Sequence, residues 1–72
     1  MEKRELAHIR ELLPGEPELA RLWREHQELE EELERLKALR SLTPLEVARR
    51  AEYKKRKLVG RDRIQQILER PR

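Results

Sequence analysis

The chain has 72 residues, of which 36% are apolar and 46% charged, with no Phe, one Trp and one Tyr. At this size a single core stabilises a fold by only a few kcal/mol, so a thick, self-sufficient interior is excluded. The net charge is +3 and cysteine is absent, which excludes disulfides and thiol chemistry.

Apolar residues are periodic rather than scattered, which sets the chain apart from disordered polyelectrolytes. Leu, Glu, Arg, Ala and Lys dominate, as in long helices and coiled coils. No apolar run is long enough to cross a membrane, so no membrane partner is expected. The opening residues Met1 to Glu5 lack the apolar stretch of a signal peptide, and a cytoplasmic location is the expectation. So thin a core is most simply completed by self-association. A homodimer or higher homo-oligomer is expected.

In chain order, residues 2–13 read as a short helix, with Leu6, Ile9 and Leu13 at helical spacing. Pro14-Gly15 stops it, since Pro disfavours helix at the preceding residue and Gly relieves the turn. Pro17 suits the first turn of a long helix over 17–39, with Glu16 and Glu18 near the positive end of its dipole. Leu19, Leu22, His26, Leu29, Leu33 and Leu36 then step by threes and fours, a heptad seam with a histidine among its knobs. A turn over 40–43 ends in Thr43-Pro44-Leu45-Glu46, the pattern of a capping box, and a second long helix runs over 44–70. Such a short connection makes the long helices antiparallel. The expected fold is all-α: one helical-hairpin domain over 1–72, coiled-coil-like, with a short N-terminal helix.

Charge patterning agrees with a hairpin. Residues 1–15 are neutral, 16–40 carry −3 and 41–72 carry +6. Folding about residue 42 sets Glu34 near Arg50, Glu30 near Lys54 and Glu28 near Arg56. The same register puts Trp23 near Gly60, whose missing side chain either leaves room for the indole ring or marks a tolerated surface glycine. On the last helix Tyr53, Ile64, Ile67 and Leu68 share one side and Val47, Ala51 and Leu58 an adjoining one, a stripe wider than one partner helix needs. The expected interaction surface and core comprise Leu19, Leu22, Trp23, His26, Leu29, Leu33, Leu36, Tyr53, Leu58, Ile64 and Leu68.

The stretch Tyr53-Lys54-Lys55-Arg56-Lys57-Leu58-Val59-Gly60-Arg61-Asp62-Arg63-Ile64 resembles the signature Leu-Lys-Lys-x-Lys-Leu-x-Leu-Lys-Asp-x-Ile of the YdcH-like proteins, short bacterial chains of unknown function. Lys54, Lys55, Lys57, Leu58, Asp62 and Ile64 match it directly, whereas Tyr53 and Gly60 replace leucines and Arg61 a lysine. Upstream, Pro17-Glu18-Leu19 and Leu22 to Leu29, with His26, are similar to that family's first long helix. The resemblance implies a helical hairpin without an assigned activity.

No catalytic, cofactor-binding or metal-binding residues are identified. His8 and His26 are eighteen positions apart, and neither has a second His one helical turn away, as a metal site on a helix needs. Ser41 and Thr43 are accounted for by the joint between helices, and no Gly-rich phosphate loop is present. No enzyme is expected. The function expected is protein–protein interaction, as an adaptor or regulatory hairpin with an unidentified protein partner. The rival is nonspecific nucleic-acid binding by the basic segment 49–63, with Arg49, Arg50, Lys54, Lys55, Arg56, Lys57 and Arg61 as candidate phosphate contacts. Tyr53 alone among them offers a ring for base stacking.

Overall fold

The computed structural model describes residues 2–71. Three α-helices, α1 (Lys3–Leu12), α2 (Pro17–Lys37) and α3 (Pro44–Leu68), make an all-α rod with extents of 46 × 18 × 18 Å. α2 and α3 form the hairpin. Its antiparallel sense follows from its polar contacts, because Glu18 near the start of α2 meets Arg63 while Glu30 farther along meets Lys57.

Each boundary has a local cause. After α1 the chain tightens into a 3-10 turn over Leu13–Gly15, closed by the Glu16 N–H on the Leu13 carbonyl at 3.4 Å. No described residue has a positive φ, so Gly15 is not required here for left-handed backbone. α2 starts at Pro17, where the missing N–H costs no helical bond. It ends at Lys37, two residues before the expected end, because the Leu39 N–H bonds the Leu36 carbonyl in an i→i−3 contact. The capping box is present: the Glu46 N–H donates to Thr43 Oγ1 at 3.2 Å and the Thr43 N–H to Glu46 Oε1 at 2.9 Å. α3 closes at Leu68 with a similar tightening, the Arg70 N–H on the Ile67 carbonyl, just before Pro71.

The core lies at the open end of the hairpin. Ile9, Leu19, Ile64 and Ile67 are completely buried and Leu22 nearly so, with Leu12, Leu13, Trp23 and Leu68 packed around them. α1 therefore docks across the mouth of the hairpin, and Gln65 Nε2 donates to Glu5 Oε2 at 3.0 Å over the same joint. Towards the loop the seam thins: Leu29 and Leu33 are half-buried and Leu36 is buried.

Two expectations about register are corrected. Glu30 meets Lys57 rather than Lys54, since Lys54 stands about 60° farther round the helix, on the exposed side. Arg56 bonds Glu52 on its own helix instead of Glu28. Nor does Gly60 receive the indole of Trp23: a Cβ built there meets nothing within 4 Å. Trp23 stacks instead on His26, three residues on, with ring centroids 5.6 Å apart and planes at 16°.

The capping box holds the start of α3 against the loop. Thr43→Ala should therefore cost about 1 kcal/mol and lower the melting temperature by roughly 4–8 °C for a domain of this size, measured by circular dichroism.

Candidate interaction surface

One side of the hairpin carries an open groove of about 700 Å³. Leu22, His26 and Leu29 line it from α2, and Tyr53, Val59 and Gly60 from α3. Leu22 and Leu29 are seven apart, as are Tyr53 and Gly60, so each wall repeats at the heptad interval that keeps one helix face turned one way. No residue of α1 lines the groove; its buried residue, Ile9, joins the core cluster with Leu19, Leu22, Ile64 and Ile67 instead. Gly60 widens it by lacking a side chain.

His26 closes the bottom of the groove at 4% exposure. Its Nε2 lies 3.1 Å from Glu30 Oε1, and Lys57 Nζ lies 3.3 Å from the same oxygen. Nδ1 is buried without a hydrogen-bond partner. The neutral ring with its proton on Nε2 satisfies this arrangement, since a bare lone pair at Nδ1 is cheaper to bury than an unpaired N–H. Burial accordingly holds the His26 pKa below the usual histidine value; the Glu30 carboxylate opposes that shift and the Lys57 ammonium adds to it. Burial pushes the Glu30 carboxyl up, but the hydrogen bond and charge of Lys57 outweigh it and leave Glu30 below the ordinary carboxylate range. At the open end, Arg63 donates two hydrogen bonds to Glu18, at 2.9 and 3.0 Å, and holds its carboxyl low.

Of the residues expected at the surface or core, Leu19, Leu22, His26, Leu36 and Ile64 are buried. Trp23, Leu29, Leu33, Tyr53 and Leu68 are half-buried. Leu58 is not brought to this set and stands 61% exposed. It lies about 120° round α3 from Ile64, too far for one helix face to bury both. Sequence reasoning missed Val59, which walls the groove at 62% exposure, and the part of Ile9 in closing the hairpin mouth. The spacing of Val59 from Glu52 and of Tyr53 from Gly60 was the available signal. Among the candidate phosphate contacts, Lys57 and Arg56 are engaged by Glu30 and Glu52. Arg49, Arg50, Lys54, Lys55 and Arg61 are exposed and form no ion pair among the described residues. No group of three or more His, Asp or Glu there is placed to hold a metal.

The polar seam predicts an acid limb in stability. Unfolded His26 takes up its proton near pH ~6.5 and folded His26 only below that. Its contribution is therefore complete above about pH 6.5 and declines as pH falls towards the folded pKa. In His26→Leu the melting temperature should change less between about pH 6.5 and 5 than in the parent chain, while the steeper loss below the carboxylate range, from Glu18 and Glu30, persists. Equal slopes in both chains across the upper window would contradict this assignment.

No helix of the described residues is long and apolar enough to cross a membrane. No curated protein and no solved structure matches the chain. Residues 19–68 match the family described as "Protein of unknown function (DUF465)", a span that takes in the seam, the capping box, the groove and the core residues of α3 but not α1. With residues 19–68 of the 72 matched, well over half of the chain, and YdcH among that family's members, the chain belongs to DUF465.

Proposed function

We propose that this protein is a non-enzymatic interaction module that works as a homo-oligomer in the cytoplasm, and that the groove between α2 and α3 is its contact surface. The observation that carries this reading is the groove itself: Val59 is 62% exposed beside half-buried Leu29 and Tyr53, on a chain too small to bury them alone. The shifted titratable groups are accounted for within the fold: Glu18 and Arg63 by each other, Glu30 by Lys57, Arg35 by Glu32, Glu46 by the backbone and hydroxyl of Thr43, and His26 by burial. None needs a substrate to explain it. An adaptor or regulatory role follows if the assembled hairpins present their outer faces to another protein.

The second reading is nonspecific nucleic-acid binding. The five exposed bases without ion pairs favour it; their spread around α3 and the engagement of Arg56 and Lys57 rank it second.

Light scattering should give a mass that is a multiple of the 8.8 kDa chain. Val59→Asp should return it to a single chain with its helical signal unchanged, because Val59 makes little contact within the chain. A parent chain that scatters as a monomer would contradict the reading. Titration of the same variant with duplex DNA at low salt separates the two readings, since the basic helix is left intact.

A further inference from the structure

We propose that the groove takes a second copy of this chain, related by a two-fold axis parallel to the helices, so that α2 of each protomer lies along α3 of the other. The proposal rests on the reading of the groove as a contact surface and adds the occupant and its orientation. A rod with extents of 46 × 18 × 18 Å has a side whose whole projected area is on the order of 800 Å², enough to contain a standard stable interface of that size per partner centred on the groove between residues 22–32 and 52–63. α1 leaves that side open.

Charge selects the orientation. The α2 wall contributes three glutamates, of which Glu25 and Glu32 pair with Arg21 and Arg35, and the α3 wall contributes four bases and one glutamate, of which Arg56, Lys57 and Arg63 pair with Glu52, Glu30 and Glu18. A face that meets its own copy is isologous. A dyad perpendicular to the helices within the interface would set α2 on α2 and α3 on α3, acid against acid and base against base. A dyad parallel to the helices sets each acidic wall against a basic one. Glu28 and Lys55 show the same preference. They have opposite signs, are exposed, and form no ion pair among the described residues. By helical phase they occupy the outer edges of their own hairpin, too far round to reach each other. Across the parallel dyad they become flanking partners, as charged residues do beside a coiled-coil seam. Such pairs set orientation more than affinity, while Leu29 and Val59 fill each other's exposed sides and Gly60 receives a partner side chain. The product is a four-helix bundle with both copies of α1 outside it.

The absence of cysteine makes the test direct. Glu28→Cys and Val59→Cys variants, both at exposed positions, are mixed in equal amounts, unfolded together, refolded and mildly oxidised. The mixed disulfide should appear in about tenfold excess over either symmetric one, the ratio that a preference near 1.4 kcal/mol gives. A predominance of the symmetric Glu28→Cys disulfide would overturn the orientation and leave the contact surface standing. A parent chain that is monomeric by light scattering overturns both.

Discussion

Everything else in this molecule depends on the closure of the hairpin mouth by α1. Two antiparallel helices alone share one narrow seam, and here that seam is apolar only in part. Ile9 is brought down onto Leu19, Ile64 and Ile67, and these four become the completely buried side chains of the structure. Full burial of such a side chain is worth roughly 1.5–3 kcal/mol, so one short helix supplies a large share of a small total. Glu18, Arg63, Gln65 and Glu5 fence the same joint with hydrogen bonds. With the mouth fixed, Leu22 and Ile64 set the phase of the two long helices, and that phase decides which residues wall the groove.

Farther along, the seam exchanges hydrophobic packing for a polar contact. His26, Glu30 and Lys57 form a chain on one carboxylate oxygen. A leucine in place of His26 would bury more apolar surface, whereas the histidine adds a polar contact, through Glu30 to Lys57, to the register that packing at the mouth sets. Polar residues at seam positions commonly serve register in this way. The cost is a buried Nδ1 without a partner. The ring also forms the bottom of the groove, which ties the register of the hairpin to the shape of its exposed side.

Much of the fold was legible in the sequence. Thr43 to Glu46 announced the start of α3, and the leucine steps from Leu19 to Leu36 announced the inner face of α2. Register was not legible, because α3 carries a base on almost every side, and acidic positions on α2 find a plausible partner in several alignments. Packing of Ile64 and Ile67 chose among them. Gly60 left two readings open for a related reason: a glycine in a helix signals missing volume but not whether a neighbour fills it, and here the space stays open. Leu58 matches the family signature yet faces outwards, since a heptad-like run of apolar residues on α3 covers more of the circumference than α2 can bury. For the site, the sequence pointed to Leu22, His26, Leu29 and Tyr53 individually. That they line one groove with Val59 depends on how the helices are rotated, which only the packing at the mouth determines.

The measurement that bears most directly on this account is amide hydrogen exchange resolved by residue. If closure by α1 holds the fold together, the slowest amides should lie at the mouth, in the turns of α2 around Leu19 and Leu22 and of α3 around Ile64 and Ile67, with amides near Leu36 and Val47 exchanging faster. Deleting the contact with Ile9→Ala should speed the mouth amides and bring them to the rate of the loop end. Slowest exchange at the loop end, unaffected by Ile9→Ala, would contradict the claim that α1 closes the hairpin.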